Sequence, residues 1–331
     1  MMIEQRELGK GGPKVGAIGL GAMSFCDFYG PVNDDDSLAT LERAEALGVT
    51  HLDTANVYGM GKSERVIGSY LQGRSNPFTI ATKAGIARKE DGSRYFNNHA
   101  DYLRAELEAS LERLGVDHVA LFYMHRRDPS REIEDVMETL LGFRDEGLIG
   151  GIGFSEVAPA SIRRAAAVGP VAAVQNEYSL WTRMPELGVI QACAEVGAAF
   201  VPFSPMARGM LGMEPVSRAV LDNDPFRASI PRFQPGNYER NCAKLAEFRD
   251  YALSLGTVPA TLAMAWILDQ GAHLIPIPGT KNVAHLEQLA AGASFVLTDD
   301  IRAGIDRILP VGWAHGDRYS TALWVGIEQF C

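Results

Sequence analysis

The feature that most limits what this chain can fold into is an alternation. Short β-rich runs and amphipathic helical segments follow one another from end to end. After a stretch that reads as a hairpin (Ile3 to Leu8, turning at GKGGPK), the first strand-like runs are VGAIGLG from Val15, THLD from Thr50, FTIATK from Phe78 and HVALFYMH from His118. IGGIGFS from Ile149, VAAVQ from Val171, AAFVPFS from Ala198 and AHLIPI from Ala272 complete the set. Helical periodicity lies between them: in LRAELEASLERLG, Leu103, Leu107, Leu111 and Leu114 fall on one face. Such alternation means a parallel sheet covered by helices. Eight units without a break in composition favour a closed α/β barrel, the (β/α)8 or TIM barrel, over an open doubly wound sheet. No linker rich in Pro, Gly or Ser divides the chain, so one domain over residues 1–331 is expected. Two insertions interrupt the pattern: residues 207–237, a candidate lid on the catalytic face, and the tail PVGWAHGDRYSTALW.

The totals narrow the function classes. No run approaches the roughly eighteen apolar residues of a membrane span. The opening MMIEQRELGKGGPK lacks the apolar core of a signal peptide, and Cys26, Cys193, Cys242 and Cys331 lack CxxC spacing. A reducing cytoplasm is therefore expected. The formal net charge of −10 argues against nucleic acid or an anionic membrane as partner, leaving a small molecule.

The chemistry gathers at strand ends. The second barrel strand ends at Asp53, with Tyr58 in the loop beyond; the third ends at Lys83 and the fourth at His125. Separations of 30 and 42 residues in sequence become neighbouring positions on the C-terminal rim, where barrel enzymes keep their sites. A carboxylate at a strand end needs a partner, and Lys83 supplies one. A phenol beside that ammonium is an acid tuned toward neutral pH. His125 can orient a substrate oxygen. Such a set protonates an alkoxide as it forms, and a nicotinamide cofactor must bring the hydride. Each residue alone is more often a cap, a surface group or a core histidine; the joint placement carries the reading.

DTANVYGMGKSERVIG, ATKAG, FYMHRRDP, GLIGGIGFSE, VQNEYSLW, PFSPMARGML and IPIPGTKNVAHLEQL, in that order between about Leu8 and Leu309, resemble the successive motifs of the aldo-keto reductases. The resemblance implies Tyr58 as general acid, tuned by Lys83 and Asp53, with His125 orienting the carbonyl. It implies NADPH lying across the barrel mouth, with NADH as the weaker choice. Ser155 and Gln175 would hold the carboxamide and Phe203 would stack on the nicotinamide. Ser204, Met206 and Gly209 would form the pyrophosphate loop, and Gly279, Thr280, Lys281 and His285 would grip the adenosine 2′-phosphate. At the adenine end Gln288 and Leu289 replace a common Glu-Asn, His285 replaces a common Arg, and Glu156 replaces Asn beside Ser155.

Other readings compete. GLGAMS, from Gly19, has two of the three glycines of a dinucleotide fingerprint and opens no recognisable helix. As a rim loop it would set Met23, Phe25 and Phe28, with Trp181, around a medium-sized aldehyde or ketone. HRRDP places Arg126 and Arg127 beside His125, where they would either attract a carboxylate or phosphate on the substrate or, as is the default, form salt bridges to surface acids. A metal-dependent hydrolase would need clustered ligands such as HxH on the first strand, which the seven histidines do not offer. The remaining alternative is a non-catalytic cofactor-binding barrel acting as a redox sensor or regulatory subunit.

Overall fold

The computed structural model describes residues 3–89 and 91–329; Cys331 lies outside them. Strands β1 (Gln5–Glu7) and β2 (Lys14–Gly16) form the antiparallel opening hairpin. The hairpin takes residues that sequence assigned to the first barrel strand: Val15 pairs with Arg6, and only β3 (Leu20–Gly21) joins the main sheet. Next come β4 (His51–Asp53) and β5 (Thr79–Ala84). A second small hairpin, β6 (Ile86–Arg88) with β7 (Arg94–Phe96), stands beyond β5 and was not anticipated from sequence. The main sheet continues with β8 (Val119–Met124), β9 (Ile149–Ser155), β10 (Ala173–Gln175) and β11 (Ala199–Phe200). Its seven strands are parallel and follow chain order from β3 to β11.

The run from Ala272 closes the circle without forming a regular strand, and its prolines explain why. Ile275 and Ile277 donate to the carbonyls of Phe200 and Pro202 at 2.9 and 3.0 Å. On the opposite side the chain presents Pro276 and Pro278, which have no N–H and can only accept, from Gly19 and Gly21 at 2.9 and 3.0 Å. Half the ladder on that side is therefore missing. The seam is close: a Cβ at Gly21 would stand 2.8 Å from the Ile277 carbonyl oxygen.

Inside the barrel, alternate strand residues form a compact core of Ala81, Leu121, Tyr123, Ala173, Ala199, Val201, Ile275 and Ile277, joined by Leu8 and Val15 from the hairpin. A larger apolar layer lies between barrel and helices, fed by the leucine face Leu103, Leu107, Leu111 and Leu114. The helix Asp34–Leu47 shows how ends are set. Asn33 accepts from the Asp35 N–H, three aspartates occupy the positive first turn, and Gly48 at φ 79° ends it. Segment 207–237 carries short helices (Arg218–Leu221, Pro225–Ala228) and buries Met210, Leu211, Leu221, Ile230 and Phe233. Among the described residues no single helix is long and apolar enough to cross a membrane.

Candidate active site

Side chains on a strand alternate between faces, so the inward rows can be followed upward. From Ala81 the row reaches Lys83; from Leu121 and Tyr123, His125; from Ala173, Gln175; from Val201, Phe203. On β4 the row runs from His51 to Asp53, and on β9 from Gly151 and Gly153 to Ser155. Apolar residues fill the middle of the barrel and polar ones crown its C-terminal end. Register places Asp53 opposite Ala81, Lys83 opposite Tyr123, and Gln175 opposite Ser155.

Lys83 is completely buried, and all three of its ammonium hydrogens are engaged. It is ion-paired with Asp53, donates to the Thr54 carbonyl at 2.7 Å, and reaches the Tyr58 hydroxyl at 3.3 Å. The second Asp53 oxygen accepts from Gln175 Nε2 at 2.7 Å, so a buried carboxylate is satisfied on both sides. Tyr58 is held by a tight turn, its N–H bonded to the Ala55 carbonyl at 3.1 Å. Gly59 follows at φ 57°, where an added Cβ would lie 2.6 Å from Cys26 Cβ. Burial raises the Tyr58 phenol above the ordinary tyrosine value, and the Lys83 charge opposes that. Burial works against the Lys83 charge, but Asp53 and Tyr58 outweigh it and the ammonium titrates above an ordinary lysine. The expectation that Lys83 would bring the phenol toward neutrality is corrected here: desolvation dominates.

His125 closes the group, its ring 6.0 Å from that of Tyr58 and edge-on to it. Burial, then Arg126, Lys83 and Arg94, hold its pKa well below the usual value, so the imidazole is neutral at pH 7. Its Nδ1 is buried without a partner among the described residues.

Around these four lie the residues expected to hold a cofactor. Ser155 Oγ accepts from Arg126 at 2.9 Å, and the Arg126 guanidinium stands 5.9 Å from the centre of the Phe203 ring. The segment after Phe203 is strained: Ser204, Ala207 and Arg208 have φ of 49°, 49° and 58°, and Gly209 has 95°. The N–H groups of Ser204 and Met206 have no partner among the described residues. Free N–H groups in such a contorted loop suit an anion such as a pyrophosphate. Across the mouth, Ser24 Oγ donates to the Thr280 carbonyl at 2.9 Å, beside Gly279. Asn282 caps the helix Val283–Ala290 by accepting from the His285 N–H at 3.0 Å. Lys281 precedes that helix and bonds the Pro31 carbonyl, while Gln288 is half-buried on it. A helix start flanked by Lys281 and His285 fits a phosphate. The donor set therefore fits an extended nicotinamide dinucleotide.

The four expected pocket residues separate. Phe25 is fully buried in the main core. Met23 is half-buried, and Phe28 is exposed with its ring edge-on to Phe226 of the 207–237 segment. Trp181 is buried, stacked on Phe233 and edge-on to Trp313 of the tail. Sequence reading missed a charge network beneath this wall. Glu156, at φ 56°, pairs with the buried Arg318 at 2.5 Å, and Glu177 pairs with both Arg318 and Arg208. The place of Glu156 beside Ser155 is thus explained by the tail. Two acids directly past strand ends, Glu156 and Glu177, were the available signal.

A closed parallel barrel with phenol, ammonium, carboxylate and neutral imidazole at its C-terminal mouth belongs to the barrel oxidoreductases that work on carbonyl groups. The Aldo/keto reductase family model matches residues 17–310, and the chain belongs to that family. It is similar to a probable aldo-keto reductase 1 from Glycine max, 35% identical over 97% of this chain and 93% of the relative. It is also similar to an NADP(+) aldo-keto reductase, yakc, of Schizosaccharomyces pombe, 37% identical over 94% of each. Among solved structures, a glycerol dehydrogenase from Gluconobacter oxydans superposes with a TM-score of 0.81 at 26% identity, covering 90% of this chain and 92% of that one. The protein is an NADP(H)-dependent oxidoreductase acting on small carbonyl compounds.

Proposed function

We propose that Tyr58 is the general acid with which this single barrel domain reduces an aldehyde or ketone to its alcohol. The observation that carries the assignment is the three-way hold of Lys83, which fixes the Tyr58 hydroxyl at 3.3 Å from a buried ammonium. When bound, the reduced nicotinamide supplies the hydride that side chains cannot. His125, neutral, donates a hydrogen bond to the carbonyl oxygen and fixes its direction. As the carbonyl carbon accepts hydride, its oxygen becomes an alkoxide and takes the Tyr58 proton, leaving the alcohol and a phenolate. Lys83 stabilises that phenolate, and Asp53 keeps Lys83 charged and in place. Solvent returns the proton to Tyr58. Ser155, Gln175 and Phe203 hold the nicotinamide end; the segment from Ser204 to Gly209 holds the pyrophosphate. Lys281 and His285 select the 2′-phosphate, which makes NADPH preferred over NADH. The scattered cysteines support a cytoplasmic setting.

Replacing Tyr58 with Phe keeps the ring and removes one hydroxyl. Carbonyl reduction should slow by about 10²–10⁴, the usual contribution of positioned proton transfer. NADPH affinity and thermal stability should hold, since Phe fills the same space. Steady-state reduction with cofactor titration on the same samples checks both. Near wild-type turnover, under conditions where chemistry is rate-limiting, would leave the mechanism without its acid and the chain a cofactor-binding barrel.

A further inference from the structure

Arg126 and Arg127 directly follow His125, and the structure separates them. Arg127 takes the ordinary course and pairs with Glu328 of the tail at 3.2 Å. Arg126 has no carboxylate within salt-bridge reach among the described residues. Its Nη1 is spent on the His125 carbonyl at 2.6 Å and Ser155 Oγ at 2.9 Å. Those two bonds, with the contact to Phe203, fix the guanidinium above the site. Nε and Nη2 have no partner among the described residues and are not sealed from solvent. That pair of parallel N–H groups is the edge with which arginine grips a carboxylate in two-point fashion.

The surroundings reinforce the charge. Arg88 and Arg94 face each other across the β6–β7 hairpin, and neither has an acidic partner among the described residues. Arg94 is near enough to Arg126 for their charges to repel, and both depress His125. A chain of net charge −10 thus gathers unneutralised arginines at the mouth of its own active site. Such a field draws anions in and raises their local concentration.

We propose that the open edge of Arg126 is a substrate anion subsite, so that the carbonyl compounds this protein reduces best carry a carboxylate. This rests on the reduction reading and names its substrate class. The rival engagement for Arg126 is the cofactor itself.

The test compares 4-carboxybenzaldehyde with its neutral amide, 4-formylbenzamide, which presents the same ring and the same aldehyde. The wild-type protein should favour the acid in kcat/KM by about ten- to a hundred-fold, the worth of a charge-assisted hydrogen bond, chiefly through KM. Added salt should shrink the ratio. Arg126→Met should bring it close to one, Arg126→Lys should restore part of it, and Arg94→Met should lower it by a smaller factor. A wild-type ratio near one, or a ratio that Arg126→Met leaves unmoved, overturns the proposal. NADPH titration of Arg126→Met that shows weakened cofactor binding with the ratio intact assigns Arg126 to the cofactor, which also overturns it. Calorimetric titration with benzoate and benzamide reads the subsite independently of turnover. Benzoate binding that is lost in Arg126→Met would uphold it even if neither aldehyde oxidised NADPH, a result that would sink the reduction reading alone.

Discussion

At Tyr58 two influences act on one hydroxyl, and their order decides when it can work. Burial raises the phenol's pKa, and the Lys83 ammonium only partly offsets this. The hydroxyl therefore stays protonated throughout the neutral range, ready to give its proton when an alkoxide appears. The reduction step should be level across the neutral range, and its alkaline limb should lie above the pH at which an ordinary tyrosine ionises. Lys83→Met removes the cation that lowers the phenol's pKa. Its single-turnover rate should fall by about 10²–10⁴ at pH 7, and its alkaline limb should move to higher pH. A limb that moved to lower pH would show that Lys83 acts otherwise.

Among the elements, β8 and β9 show how the floor of the site is made. Tyr123 points into the barrel, its ring 5.9 Å from the Lys83 ammonium, and it lies in register with Gly153. A Cβ on Gly153 would stand 2.3 Å from that ring, so only glycine admits Tyr123 here. Gly153→Ala should destabilise the protein by about 1–3 kcal/mol through overpacking. It should also slow reduction, because the ring it displaces supports Lys83. Urea unfolding together with turnover checks the pair; a variant of unchanged stability would mean the ring has room to move. From IGGIGFS alone the strand was legible but the need for this glycine was not. The clash is with a residue thirty positions away, and register across strands is not written in either one.

In the whole molecule, His51 and His125 are buried and His273 is half-buried, and each resists protonation. His51, His125 and His273 each have a pKa lowered first of all by burial. The unfolded chain binds protons near pH 6.5 that the folded protein refuses. Stability from this source is therefore complete above about pH 6.5 and is lost as pH falls below it. Thermal melts should be level between about pH 7 and 8, and Tm should drop from about 6.5 toward 5.5. His51→Gln should flatten part of that drop; an unchanged slope would remove His51 from the account.

Alternation of strand and helix, with polar residues at successive strand ends, determined the barrel and brought Asp53, Lys83 and His125 to one rim. These are local signals, since two-residue alternation and helical period act within a single element. The fold expectation was met and the aldo/keto reductase resemblance became membership. What only the tertiary structure decided was how charges and rings meet across elements. It turned Gln175 toward Asp53, buried Phe25, gave Glu156 and Glu177 the tail's Arg318, and left the edge of Arg126 open. It also reversed the expected net influence on Tyr58. Desolvation depends on everything packed around a group, and no spacing along the chain encodes it.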